Sequence, residues 1–231
     1  MKKRENKVAV ITGGNSGIGY CIADELIAQG AKVVITGKNQ KALNEVERAL
    51  GSNVTGFVAN QASLSDLGEL VKKVEKKFGS IDTLVINAGI FHLLPIEVIS
   101  EEKFDETMNV NFKGAFFILQ KFLPLLKNGS SVIFILALSG TQGTKNRSEY
   151  SVSEAALKSL ARVAAIELAP KGIRVNAIAP GPCDTPIFCK SGAPQEKLDQ
   201  FQEAKKQKVW VKGYRAPEEL EKLVDCILSY I

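Results

Sequence analysis

The chain has 231 residues and a mass of 25.0 kDa, the size of one α/β domain. Apolar residues make up 45% and charged residues 24%, enough material for a sizeable core, so intrinsic disorder is excluded. The net charge of +5, from 30 basic and 25 acidic residues, is too small an excess to point to nucleic acid.

Short β-branched runs alternate with longer amphipathic segments along the chain. Strands are expected at 8–12, 32–36, 54–58, 83–86, 132–136 and 174–178. Their continuous apolar character fits strands buried on both faces of a parallel sheet. Helices are expected near 17–29, 40–50, 64–78, 101–127 and 149–169, and a last one near 217–230, opened by Pro217. Strands alternating with helices imply βαβ crossovers. The expected fold is therefore α/β: a Rossmann-like doubly wound parallel sheet of six strands, in a single domain over 1–231. The longest apolar run, 132–138, is far shorter than the ~20 residues that span a membrane. No apolar segment follows the basic N-terminus, so a cytoplasmic protein without membrane attachment is expected. Cys21, Cys183, Cys189 and Cys226 form no Cys-x-x-Cys and read as reduced thiols. A single histidine, His92, argues against a metal site and reads as a loop residue without a role.

In such sheets ligands bind beyond the carboxyl ends of the strands. The turn after the first strand reads Thr12-Gly13-Gly14-Asn15-Ser16-Gly17-Ile18-Gly19. Glycines at 13, 17 and 19 permit a tight turn and close approach of backbone N–H groups to an anion, and the helix that starts here adds its dipole. The turn after the second strand, Thr36-Gly37-Lys38-Asn39, has no carboxylate to hold a ribose 2′-hydroxyl. Lys38 can instead pair with a 2′-phosphate, with the Thr36 hydroxyl as a further donor. The plain alternatives are a ligand-free glycine turn and a solvated lysine.

The T-G-x-x-x-G-I-G spacing at 12–19 resembles the short-chain dehydrogenase/reductase family, and the resemblance covers nearly the whole chain. Asn87-Ala88-Gly89 matches its N-A-G turn, and Asn111 in Val110-Asn111-Phe112-Lys113-Gly114 its helical asparagine. Tyr150 matches the active-site tyrosine, and Pro180-Gly181 with Thr185 the stretch that touches the nicotinamide amide. The resemblance implies an NADP(H) cofactor held by Thr12, Gly13, Asn15, Ser16, Gly17, Ile18, Gly19, Lys38, Asn60, Asn87, Ala88, Gly89, Pro180, Gly181 and Thr185. Asn60 stands where the family often has an aspartate that accepts from the adenine amino group. The substrate implied is a small carbonyl or alcohol, covered by a lid near 183–215. The segment 197–215 carries six basic and two acidic residues, which suits either an acidic ligand or a solvated helix face. The family usually continues past the equivalent of Ile231 into a seventh strand that builds one dimer interface. Without that strand, a homodimer through helices 101–127 and 149–169 is expected rather than a tetramer.

The resemblance breaks at the reacting groups. The family's tyrosine works with a lysine four residues on, a serine about thirteen residues before, and the helical asparagine. Tyr150 and Asn111 are present as catalytic candidates, but the lysine position holds Glu154 and the serine position Ala137. An ammonium one turn from Tyr150 would favour the phenolate, whereas a carboxylate disfavours it. Ala137 removes a donor to the developing oxyanion. Ser139, Lys145, Ser148, Ser151 and Lys158 lack the offsets that would replace these groups. Tyr150 and Asn111 also have structural readings, as a packing aromatic and a helix-stabilising amide. Two functions result: an impaired NADP(H)-dependent oxidoreductase, or a non-catalytic nucleotide sensor or partner-binding protein on the same fold.

Overall fold

The computed structural model describes residues 3–181 and, beyond them, 183, 185–189, 191, 192, 196, 198, 199, 224 and 228. Its strands are β1 (Val8–Ile11), β2 (Lys32–Gly37), β3 (Val54–Val58), β4 (Ile81–Ile86), β5 (Leu126–Ile135) and β6 (Arg174–Ile178). All neighbours pair in parallel, in the order β3-β2-β1-β4-β5-β6. The chain runs outward from β1 to β3, returns to the other side of β1 and runs outward again to β6. The crevice between these two halves, at the strand carboxyl ends, is the topological switch point where such sheets take ligands.

The period of two along each strand builds two cores from one sheet. Val8, Val10, Val34, Leu84, Ile86, Val132 and Phe134 face one side. There they meet α3 (Leu64–Phe78), α5 (Ala115–Phe122) and α6 (Ser148–Leu168). Ala9, Ile11, Val33, Ile35, Val85 and Ile133 face the other, against α1 (Gly17–Ala28) and α2 (Gln40–Leu50). Asn39 caps α2 by accepting from Lys41 N and Ala42 N at 2.9 and 3.2 Å, and Ser63 caps α3 through Asp66 N. Val224 and Leu228, the described residues of the expected last helix, are helical and join the second core. Pro217 and the rest of that segment lie outside the described residues.

Two expectations are corrected. The segment 101–127 is not one regular helix. It comprises α4 (Glu101–Thr107), a π-helical stretch Met108–Gly114, α5, and a 3-10 turn Leu123–Leu125 that holds Pro124. The π-stretch carries Asn111 inward and brings the Gly114 backbone against Gln61, an approach that a Cβ at 114 would prevent. Apolar periodicity does not reveal so local an extra residue per turn. Strand β5 starts at Leu126, six residues early, because Gly129 at φ 86° and a register shift opposite Ile81 and Thr83 absorb the polar stretch Lys127–Ser130. Ser130 fastens it, accepting from Lys127 N and donating to Ile81 O.

Among the described residues no helix is long and apolar enough to cross a membrane, and no group of histidine, cysteine and acidic side chains could hold a metal ion. Cys21, Cys183 and Cys189 are reduced.

Candidate active site

A cleft of about 1550 Å³ opens along the carboxyl ends of β2, β1, β4 and β5. Its first half is the turn between β1 and α1. Gly13 has φ +66°, and a Cβ there would stand 3.0 Å from Ala88 Cα and 3.2 Å from Asn87 Nδ2. At Gly19 a Cβ would meet Asn87 Nδ2 and Gly13 O, both at 2.6 Å. The turn is thus folded tightly onto the Asn87-Ala88-Gly89 segment, and glycine is what lets the two backbones meet. Thr12 locks them together, its Oγ1 accepting from Asn87 N and Ala88 N at 3.0 Å each. Asn87 Nδ2 donates back to Thr12 O and Gly13 O.

Asn15, Ser16, Gly17, Ile18, Lys38, Asn87, Ala88, Gly89, Pro180, Gly181 and Thr185 all line the cleft with Gly13. The helix α1 begins at Gly17, so its N-terminal N–H groups face this space. Lys38 is exposed at the rim. Thr36 Oγ1 accepts from Gly13 N at 3.4 Å and keeps its own proton to donate. Thr12, Gly19 and Asn60 do not line the cleft. Thr12 and Gly19 are buried behind it, and the Asn60 Oδ1 accepts from Ala62 N at 3.2 Å. The tight glycine turn, the helix N-terminus and the rim lysine together fit the phosphates of a dinucleotide.

The second half brings Asn111, Ala137, Tyr150 and Glu154 onto one wall. Asn111 is 1% exposed and its amide is fully engaged. Oδ1 accepts from Ile90 N at 2.9 Å, and Nδ2 donates to Ile90 O at 2.8 Å and to Ser153 Oγ at 3.0 Å. The amide clamps the β4 turn to the helix that carries Tyr150, because Ser153 in turn donates to Tyr150 O.

Glu154 is 4% exposed. Gly140 packs so closely that a Cβ there would lie 2.8 Å from Glu154 Cβ. Burial pushes the Glu154 carboxyl up to about 8, against hydrogen bonds donated by Ala137 N–H and the Tyr150 hydroxyl. Near neutral pH it is therefore mostly a neutral acid. The sequence pointed to a carboxylate disfavouring the phenolate, and Glu154 does raise the Tyr150 hydroxyl, second to burial. Burial, first, and then Glu154 hold the Tyr150 hydroxyl above the ordinary phenol value, and Arg147 opposes them only in part.

Among the neighbours that the sequence reading passed over, Lys158 is absent from the wall and donates to Thr141 Oγ1 at 2.9 Å. Ser139 reaches the wall from the 3-10 turn Leu138–Gly140, with its Oγ buried and unpartnered. Strand β5 ends at Ile135, so Ser139 does not continue the strand alternation. His92 is off the wall; its Nε2 stands 3.4 Å from Glu106 Oε2. Sequence reasoning missed Arg147. The residue is 5% exposed, and its guanidinium sits 4.5 Å from the Phe91 ring centre and 5.8 Å from that of Tyr150. No spacing signals it, since its rings come from three separate segments, Phe91, Tyr150 and Phe188. Phe188 and Leu198 close this end with Phe91 and Leu93. Phe201, Trp210 and Tyr214, the other aromatic residues of the expected lid, lie outside the described residues, as does most of the basic segment 197–215.

The short chain dehydrogenase family model matches residues 7–196. An oxidoreductase of Staphylococcus saprophyticus is 38% identical over 193 residues, 81% of this chain and 82% of that protein. Human dehydrogenase/reductase SDR family member 4 is 32% identical over 230 residues, 97% of this chain and 81% of the human one. Among solved structures, a short chain dehydrogenase from Burkholderia cenocepacia in complex with NADP superposes with a TM-score of 0.86 at 30% identity, covering 98% of this chain and 91% of that one. A 3-ketoacyl-(acyl-carrier-protein) reductase from Brucella melitensis complexed with NADH gives 0.89 at 27% identity, over 99% and 93%. With the motif residues gathered at the switch point of a parallel sheet, the chain belongs to the short-chain dehydrogenase/reductase family of oxidoreductases.

Proposed function

We propose that the protein is a cytoplasmic NADP(H)-binding oxidoreductase whose carbonyl chemistry is impaired at its own reacting groups. One observation carries the reading: an intact nucleotide cradle shares its cleft with a wall where Glu154 and Ala137 replace the expected cation and donor. The cofactor residues are Gly13, Asn15, Ser16, Gly17, Ile18, Lys38, Asn87, Ala88, Gly89, Pro180, Gly181 and Thr185 at the cleft, supported from behind by Thr12 and Gly19, with Asn60 near the adenine end. When bound, the dihydronicotinamide supplies hydride. Lys38 at the rim, with no carboxylate beside it, favours a 2′-phosphate and hence NADPH.

Tyr150 keeps the phenol that can give a proton to a substrate oxygen, and Asn111 holds its helix in place. Its proton is held too firmly, because no cation offsets burial sufficiently. Losing an oxyanion donor typically costs ~10²–10³ in rate, and losing a tuned acid a further ~10²–10⁴, without strict additivity. The buried acid at Glu154 equally favours a second reading, a nucleotide sensor without turnover. The domain is read as a single unit over 1–231 with its lid near 183–215. A homodimer is proposed through α4, α5 and α6, where Phe104, Phe116, Val152, Val163 and Ile166 are exposed apolar residues.

Titration of NADPH and NADH, followed by the fluorescence of Trp210, tests the assignment. NADPH is expected to bind more tightly, and Lys38→Ala to cut that preference several-fold. Equal affinities unchanged by the substitution would refute it. With NADPH, the wild type is expected to reduce small ketones, aldehydes and quinones little or not at all. Ala137→Ser with Glu154→Lys is expected to raise that rate by orders of magnitude. Brisk wild-type turnover that survives Tyr150→Phe would refute the catalytic account.

A further inference from the structure

We propose that the altered wall suits a carbon–nitrogen double bond: Glu154 binds and protonates the nitrogen of an imine substrate beside Tyr150 and Ala137. The proposal rests on the NADPH-dependent reading above and names its substrate class.

Carbonyl reduction develops negative charge on oxygen and needs donors or a cation near it. Reduction of a protonated imine starts with positive charge on nitrogen and ends with none. It needs an acid and a counter-charge, and no oxyanion donor. The two substitutions that harm the first reaction match the second. Ala137 presents no side-chain donor, and Glu154 presents a carboxyl where the family has an ammonium.

The geometry supports a working group rather than a stray acid. Glu154 lies on the cleft wall, is 4% exposed, and its Oε2 has no hydrogen-bond partner. A buried oxygen left in that state is costly and asks for an explanation. The Ala137 N–H and the Tyr150 hydroxyl orient the carboxyl, and Gly140 packs against the Glu154 Cβ and backbone. On the same helix Lys158 stands one turn from Glu154, about 6 Å along the axis, its Nζ donating to Thr141 Oγ1, and Arg147 at the N-cap lies about 10 Å along the axis, beyond Tyr150. Burial keeps the Glu154 proton in place near neutral pH, where an imine nitrogen, far more basic than a carbonyl oxygen, can take it.

The step balances. The Glu154 carboxyl gives its proton to the imine nitrogen and becomes a carboxylate. A reduced nicotinamide dinucleotide delivers hydride, with its two electrons, to the carbon. The C=N π pair moves to nitrogen, and a neutral amine leaves. Glu154 regains a proton from water.

Two measurements test this on the whole chain. The first is calorimetric binding of a permanently charged iminium, N-methyl-3,4-dihydroisoquinolinium, in the presence of NADP⁺. The second is NADPH oxidation with 2-methyl-1-pyrroline and 3,4-dihydroisoquinoline against cyclopentanone. Wild type is expected to bind the iminium, and Glu154→Gln to weaken it about 10–100-fold, the worth of one close charge pair. The imines are expected to turn over, and the ketone about 100-fold more slowly. Glu154→Ala, checked for fold by circular dichroism, repeats the comparison. Equal iminium binding by wild type and both variants would overturn the proposal, as would a ketone reduced as fast as the imines. Tight NADPH binding with neither iminium binding nor imine turnover would overturn it and leave the proposed function standing. Failure to bind NADPH would strike the proposed function itself.

Discussion

Replacing Glu154 by Gln keeps the shape of the side chain and removes its titration. The folded carboxyl is raised from 4.5 to about 8 by burial. The sign follows from linkage: a carboxyl raised on folding binds more protons in the native state, so stability falls as pH rises through the interval between the two values. The wild type keeps the full contribution below about pH 4.5 and loses it progressively up to about pH 8. At about 1.4 kcal/mol per pH unit, the whole interval is worth on the order of 4–5 kcal/mol, an upper figure because the site can relax around the charge. Urea unfolding of both proteins at pH 5, 7 and 9 measures it. The advantage of Glu154→Gln over wild type is expected to be small at pH 5, to grow steadily to pH 8 and then to level off. Parallel stability profiles across this range would show that Glu154 is not held neutral, and would remove the physical basis for its role as an acid.

Two further outcomes bear on the scaffold. Asn111→Ala removes three hydrogen bonds and strips the Ile90 backbone of its partners, and is expected to cost about 2–4 kcal/mol in denaturant unfolding; a loss well under 1 kcal/mol would show that the clamp is replaceable. Light scattering at micromolar concentration is expected to show a dimer that Ile166→Asp, on the most exposed of these apolar positions, converts to monomer; an unchanged mass would place any interface elsewhere.

Continuously apolar strands at 8–12, 32–36 and 83–86 announced a doubly wound sheet, because the strands of a parallel sheet are buried on both faces. The glycine turn at 13–19 and the Asn87 turn were legible for a related reason: only small residues let two backbones approach so closely. The nearness of Glu154 to Tyr150 was also legible, since helical spacing places the two on one face of α6. The π-stretch around Asn111 was not, nor was the early start of β5. Both depend on distant partners, Gln61 in one case and Ile81 in the other. Arg147 among three rings from three segments was invisible for the same reason. The tertiary structure alone decided the state of Glu154. Spacing specifies which side chains are neighbours, but the charge on a carboxyl depends on how completely water is excluded, and that is set by the packing that leaves Glu154 4% exposed.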